Sequence, residues 1–395
     1  MNVLLMHNGS ASGLPSGESV VFENEADALR RLGCRVTTPL EQRPASVLGK
    51  LRQANVFWSR KSYALTRDLV AKSNADVVHV HGALPDLTVS VFAACRDVGV
   101  PVVQTLHNYR WICVEGGLFR DRTYCDDCVS KSAWNGVVHR CSRGSFVASW
   151  LLTLNNRLNV GSSGLISNVS RFIAVSNYVK DRYLEAGFPP EKIVVKSNGI
   201  VIPDLGSRET SATPVVTFIG RLDVAKGTSI LSELPELMRQ LGCNPAFNIV
   251  GSGPDEHHLR QSMGHHEGVK FHGQIASQAV NTLIQQSSCV VVPSLVPETF
   301  GLVVAESLAA GVPVIASSVG GLTELVRASG GGKLVDPHQG AGAFAHAIVG
   351  LLESESEMSV LGRAGREYAE KRLDIDKTTL ELLNIYEGLS HATSV

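Results

Sequence analysis

A two-domain parallel α/β protein is what this sequence predicts, and three observations carry the prediction. Short β-branched runs alternate with longer helical patterns along the whole chain, the mark of strand–helix–strand units. At 395 residues the chain exceeds what one hydrophobic core usually supports. A stretch rich in Pro, Gly, Ser, Thr and charge, residues 202–214, separates two such series and reads as a linker. The expectation is two Rossmann-like, doubly wound domains facing a central cleft, where ligands of such folds commonly sit.

In the first series the strands fall at 3–7, 34–38, 76–81, 100–107, 172–176 and 192–199. Between the first two, apolar residues recur at helical spacing from Glu18 to Leu32, and Gly33 ends the run. The second series places strands at 215–220, 246–253, 269–273, 289–294, 312–317 and 332–336. Two amphipathic helices follow, 340–352 and 357–386, the last long enough to return to the first domain. The expected division is 1–200, 201–368 and a C-terminal helix at 369–395 crossing back.

Composition excludes several classes. With 44% hydrophobic and 18% charged residues the chain is an ordinary globular protein. A formal charge of -1 gives no global pull toward nucleic acid. The opening MNVLLMHNGS lacks a basic region and reads as a first strand, not a signal peptide. No apolar run is long enough to span a bilayer. A cytoplasmic protein is expected, with docking on the cytoplasmic face of a membrane left open.

Chemistry concentrates in the second domain. Between Val290 and Thr323 the only charges are Glu298 and Glu306, spaced Glu-x7-Glu in apolar surroundings. A buried carboxylate is costly unless something pairs with it, so two of them suggest a polar ligand. Glu298-Thr299-Phe300-Gly301-Leu302 follows a strand and opens a helix, whose unpaired N–H groups suit phosphate. Gly301 permits close backbone approach. Glu306 reaches back along the helix toward its start, where it suits hydroxyls better than phosphates. The plainer alternative is a helix-end charge and a solvated loop residue. Upstream, Gly220-Arg221-Leu222-Asp223-Val224-Ala225-Lys226-Gly227 sets an Arg and a Lys between two glycines after a strand. Arg clamps phosphate oxygens and Lys adds a point charge. The Walker spacing is missing. Two solvated surface cations are the bland alternative.

The set GRLDVAKG, VGSGP, PSLVPETFGLVVAESLAAGVPVIAS and VGGLTELV, in this order, resembles the retaining nucleotide-sugar glycosyltransferases of the GT-B fold, family four (glycosyl transferases group 1). The resemblance spans the whole second domain. It implies that Arg221 and Lys226 neutralise the donor diphosphate, Glu298 holds sugar hydroxyls, and Glu306 holds ribose hydroxyls. It gives the backbone N–H groups of Phe300, Gly301 and Leu302 to sugar and phosphate oxygens, and sets Gly251, Gly253, Gly273, Gln274 and Ile275 around the nucleoside. In the first domain, relatives carry a Gly-Gly pair in the first strand-to-helix loop. Here Leu14-Pro15-Ser16-Gly17-Glu18 has Ser16 and Gly17 in those places. His107, in a strand-end His107-Asn108 pair, matches a His near the donor sugar and reaction centre, with a capped strand-end His as the alternative. His79 reads as structural and His81 as cleft-lining at best. Catalysis would thus rest on Glu298, His107, Lys226 and Arg221.

By the same resemblance the chain transfers a sugar from a UDP- or GDP-sugar to a glycan or lipid-linked acceptor, with retention, in bacterial surface polysaccharide synthesis. No metal cofactor is required for such catalysis. Asp374-Ile375-Asp376 reads as solvated surface. Two rivals are a catalytically silent sugar-nucleotide-binding protein and a nucleotide-sugar epimerase of similar shape.

An insertion at about 109–157 resembles one found in a subset of bacterial family-four enzymes. It holds Cys113, Cys125, Cys128 and Cys141, four of the eight cysteines. These can hold one structural tetrahedral zinc, or stand as four thiols. Cys34, Cys95, Cys243 and Cys289 read as buried thiols. Phe146, Trp150, Leu151, Leu154 and Leu158 follow helical spacing with Arg143 and Arg157 at the ends. A core-facing helix is the preferred reading, and contact with a lipid acceptor or a membrane surface the other.

Overall fold

A computed structural model describes residues 1–8, 16–39, 57–82, 84, 87–161, 164–205 and 213–392. Leu14 and Pro15, and residues 206–212 of the expected linker, lie outside the described residues. The chain forms two compact units: Met1–Leu118, Cys125–Gly199 and Ile375–Val395 in the first, Phe119–Tyr124 and Ile200–Asp374 in the second.

The first unit begins with β1 (Asn2–His7), α1 (Gly17–Arg31), β2 (Arg35–Thr37), α2 (Arg60–Ser73), β3 (Val77–Gly82), α3 (Ser90–Val98) and β4 (Val102–Leu106). A two-stranded hairpin, β5 (Phe119–Arg120) and β6 (Thr123–Tyr124), belongs to the second unit. The chain continues through α4 (Asp127–Ser130), α5 (Asn135–Val138), α6 (Phe146–Val160) and α7 (Leu165–Asn168). β7 (Arg171–Ala174), α8 (Asn177–Glu185) and β8 (Ile193–Val195) complete a parallel sheet of order β2-β1-β3-β4-β7-β8. Val3–Met6 of β1 is buried throughout, as a strand covered on both faces requires. Ser16 starts α1: its Oγ accepts from Ser19 N while Ser19 Oγ accepts from Ser16 N.

The second unit runs β9 (Val215–Ile219), α9 (Thr228–Gln240), β10 (Ala246–Val250), α10 (Glu256–Met263), β11 (Val269–Gly273) and α11 (Ser277–Gln285). It goes on with β12 (Cys289–Val292), α12 (Leu302–Ala309), β13 (Val314–Ser317), α13 (Gly320–Ser329), β14 (Gly332–Val335), α14 (Gly340–Leu352) and α15 (Glu355–Tyr368). Its sheet is parallel in the order β11-β10-β9-β12-β13-β14. The order in which successive strands are added reverses between β9 and β12, and loops at the carboxyl ends of such strands form the binding crevice of this class. Val216, Phe218, Phe247, Ile249, Cys289, Val291, Ile315 and Val335 bring the sheet into the core, with Phe344 and Ile348 of α14 in the same cluster.

The single helix expected at 357–386 is broken. A π-helical turn, Ala369–Leu373, ends it, and Asp374 turns extended (φ -52°, ψ 129°). There Asp374 bridges Ile200, whose N–H donates to Leu373 O at 2.7 Å. The final helix, α16 (Ile375–Ala392), belongs to the first unit and adds Leu382, Tyr386 and Leu389 to a core of Val3, Leu5, Leu29, Val77, Val103 and Ile173. Asp376 pairs with Arg31 of α1 at 2.6 Å.

A second expectation is reversed: α6 does not turn its apolar stripe inward. Phe146, Trp150 and Leu158 are exposed, and the helix buries Ser149, Thr153, Asn155 and Asn156 instead. Of the scattered thiols, Cys95 and Cys289 are buried, whereas Cys34 and Cys243 are half-buried. Among the described residues no helix is long and apolar enough to cross a membrane.

Candidate active site

In the second unit, the residues singled out by sequence fall at the carboxyl ends of β9, β10, β11 and β12. Lys226 and Glu298 are brought together: Lys226 Nζ donates to Glu298 Oε1 at 2.5 Å. Ser294 Oγ donates to the same oxygen at 2.6 Å. Two backbone features set this meeting. Leu295 N donates to Ala225 O at 2.9 Å, stitching the β9 loop to the β12 loop. Gly227, at φ +80°, lies so close to Pro293 O that a Cβ would stand 1.9 Å from it. Burial raises the Glu298 pKa, but the ammonium of Lys226 and the two hydrogen bonds outweigh it and hold the carboxyl below its usual range. Gly321 N donates to Glu298 O at 2.7 Å and fixes the loop from the other side.

Phe300, Gly301 and Leu302 stand at the start of α12. Gly301 caps the helix at φ +93°, where a Cβ would meet Leu322 Cδ2 at 2.4 Å. The N–H groups of the first turn have no intrahelical acceptors, and the helix dipole adds partial positive charge. Glu306 lies further along this helix, half-buried. Burial is the sole cause pushing its carboxyl up to about 7. Among the described residues no cation or donor offsets that cost.

Arg221 is not drawn to this pair. Its guanidinium ion-pairs with Asp223 and is 70% exposed. Asp223 also accepts from the Lys226 backbone N–H at 3.1 Å, capping the short turn that carries Lys226. Gly251 N donates to Gly273 O at 2.8 Å, and Leu222 N donates to Ser252 O at 3.0 Å, joining the β9, β10 and β11 loops. Gly253 packs its Cα side on Leu222 O, Gln274 is exposed, and Ile275 half-buried. Sequence reasoning passed over Asp223 and Ser294. The signal for Asp223 was its place three residues before Lys226, a capping offset.

In the first unit Ser16 and Gly17 form the start of α1, at the carboxyl end of β1. Glu18 lies over Gly82, and its Oε1 is 3.5 Å from His7 Nε2. His107 ends β4, and its Nε2 is 2.9 Å from His81 Nδ1. His81 Nε2 in turn is 3.0 Å from Glu25 Oε1, and Lys196 Nζ donates to Glu25 Oε2 at 3.1 Å. Burial raises the Glu25 pKa, but Lys196, His81 and His79 more than offset it, so the group is an anion that only accepts. Burial pushes His81 and His107 down to about 4, so both are neutral near pH 7. The proton placement follows: His81 donates from Nε2 to Glu25, and its Nδ1 accepts from His107 Nε2–H. His79 is buried between Tyr386 OH, 2.6 Å from Nδ1, and Thr105 Oγ1, 2.7 Å from Nε2.

Among the described residues, Glu25, His79 and His81 are the group whose ligand atoms lie within 4.8 Å of one another. They do not suit a metal ion: each ligand atom already has a hydrogen-bond partner, and the Lys196 ammonium lies against the carboxylate. Cys113, Cys125, Cys128 and Cys141 form no disulfide. Burial, then the neighbouring Cys113 and Cys141, push the Cys128 thiol up to about 11.

Residues 15–202 match the family Glycosyltransferase Family 4, and residues 213–354 match Glycosyl transferases group 1. The chain belongs to the GT-B glycosyltransferases of family four. This glycosyltransferase is similar to the D-inositol 3-phosphate glycosyltransferase of Corynebacterium aurimucosum, 26% identical over 95% of this chain and 91% of the relative. It is 30% identical to the phosphatidyl-myo-inositol mannosyltransferase of Mycobacterium leprae, over 56% of this chain and 60% of the relative. In fold it matches sucrose-phosphate synthase from Thermosynechococcus elongatus (TM-score 0.73, 19% identity, 99% of this chain and 100% of that one). HepE of Anabaena, solved in complex with UDP, matches with TM-score 0.65 and 19% identity, over 98% of this chain and 100% of that one.

Proposed function

We propose that this glycosyltransferase moves a hexose from a UDP- or GDP-sugar to a hydroxyl of a glycan or lipid-linked acceptor, with retention at the anomeric carbon. The observation that carries the proposal is the Lys226–Glu298 pair held at the opening of α12, with Glu306 on the same helix. That arrangement offers donors to a diphosphate and acceptors to hydroxyls within one set of loops. In the proposed step the bond from C1 to the diphosphate oxygen breaks and a bond from C1 to the acceptor oxygen forms. The acceptor's proton passes to the departing phosphate. Lys226, Arg221 and the N–H groups at Phe300, Gly301 and Leu302 stabilise the leaving charge, Glu298 binds sugar hydroxyls, and Glu306 binds the ribose. His107, Ser16 and Gly17 keep the donor-side roles that the family resemblance gives them.

The relatives named for inositol phosphate and phosphatidyl-inositol favour a polyol or phospholipid hydroxyl as the acceptor. We place the reaction in the cytoplasm and in the assembly of a bacterial surface polysaccharide or glycolipid. Purified protein incubated with UDP- and GDP-sugars and candidate acceptors should release nucleoside diphosphate and give a product whose anomeric configuration, read by proton NMR, is that of the donor. Lys226→Ala and Glu298→Ala should abolish release. An inverted product would overturn retention. Tight donor binding without turnover on any acceptor would instead identify a silent sugar-nucleotide-binding protein.

A further inference from the structure

Helix α6 is inside out. Projected at 100° per residue, Phe146, Trp150, Leu154, Val147, Leu158 and Leu151 occupy one continuous arc, with Arg157 the sole charge among them. Phe146 is 55% exposed, Val147 64%, Trp150 41% and Leu158 59%. The adjoining α5 adds Val138, 70% exposed, and Trp134, whose ring Arg157 covers at 5.8 Å.

The opposite, polar face is anchored. Asn156 Nδ2 donates to Arg110 O at 2.9 Å, and Ser149 Oγ accepts from Ser142 N at 2.9 Å while donating to Ser145 O at 2.8 Å. Asn159 Nδ2 donates to Asn155 Oδ1 at 2.6 Å. Rolling the apolar stripe inward would break the bonds to Arg110 O and Ser142 N and leave buried polar groups unsatisfied, so the exposure is built into the sequence. Contiguous apolar patches of this kind on a folded surface mark binding sites.

Charge selects the occupant. From Val129 to Val160 the chain holds Lys131, Arg140, Arg143 and Arg157 and no Asp or Glu, against -1 for the whole protein. Arg140 and Arg143 are exposed in the loop leading into α6. An amphipathic helix with Trp, Phe and Leu on one face, flanked by arginines, is the composition that lies in the headgroup layer of an anionic membrane. A second copy of the chain would bring the same cations face to face.

We propose that the α5–α6 face docks the protein on an anionic phospholipid surface, with Phe146, Val147, Trp150 and Leu158 entering the headgroup layer and Arg140, Arg143 and Arg157 meeting the lipid phosphates. Such docking selects the lipid-linked acceptor of the transferase reading and needs no turnover to be observed. The full chain is tested by co-sedimentation with vesicles of phosphatidylcholine alone and of phosphatidylcholine with about one-third phosphatidylglycerol. Binding to the mixed vesicles and little to the neutral ones is expected. Phe146→Ser with Trp150→Ser should weaken binding about tenfold or more, and so should Arg140→Gln with Arg143→Gln. Melting temperature and UDP-sugar binding should stay unchanged in both variants. Absence of vesicle binding by the wild type, or equal binding by the variants, would overturn the proposal. So would a dimer in sedimentation velocity that the same substitutions dissolve, which would assign the face to a second copy. Loss of transfer with vesicle binding intact would count against the enzymatic reading alone.

Discussion

Glu306 carries a charge-state consequence at the scale of one residue. Its folded pKa, about 7, lies above the ordinary carboxylate range. Its protonated form is therefore favoured on folding, and that contribution is present at acid pH and lost as pH rises through about 7. Hydroxyl donors favour the ionised form, so nucleotide-sugar binding should tighten up to about tenfold between about pH 6 and about pH 8. Titration calorimetry on wild type and Glu306→Gln checks this: the variant should be flat, and a flat wild-type profile removes the ribose role. The Lys226–Glu298 pair gives a second prediction. Lys226→Met leaves a half-buried carboxylate without its cation and should lower stability by about 1–3 kcal/mol, whereas Lys226→Met with Glu298→Gln should regain most of it. Chemical denaturation reads the cycle, and an additive outcome denies the coupling. Glu298, Glu306 and Lys226 were legible because charges in an apolar stretch or a Gly-bounded loop stand out in one dimension. Glu25 and Lys196 were not, because 171 positions separate two residues that touch in space.

Single elements show where pattern reading reached and where it stopped. The start of α12 was readable because Gly301 after a strand and before an apolar run admits few backbone paths. Gly301→Ala should cost about 1–3 kcal/mol, since the cap needs positive φ and the added Cβ meets Leu322. It should also weaken donor binding, measured by thermal shift with UDP-sugar. The periodicity of α6 gave the helix but not which face is inward, because an apolar stripe is equally suited to a core or to another surface. Its inversion predicts a reversal of the usual rule. Asn156→Leu, though apolar, strands Arg110 O and should destabilise by about 1–3 kcal/mol. Trp150→Ser, though it removes a large apolar side chain, should stay within about 0.5 kcal/mol. Equal costs at both positions in thermal melts would refute the inverted packing.

For the whole molecule, α16 completes the core of the first unit. Leu382, Tyr386 and Leu389 sit in that unit's core, and Tyr386 OH holds His79. A chain ending at Asp374 should lose protease resistance across the first unit while the second, with its core of sheet and α14, keeps a cooperative melt. Equal resistance of both units would show that α16 is dispensable. The α/β class, both strand series and the charged residues of the β9 and β12 loops were set by sequence alone, because strand periodicity, Gly-bounded loops and isolated charges are local properties of the chain. Strand order, the break at Asp374, the tautomer-fixing line from Glu25 through His81 to His107, and the outward face of α6 were decided only in three dimensions. Each depends on which distant segment satisfies a backbone group or a buried charge, and no local pattern records that partner.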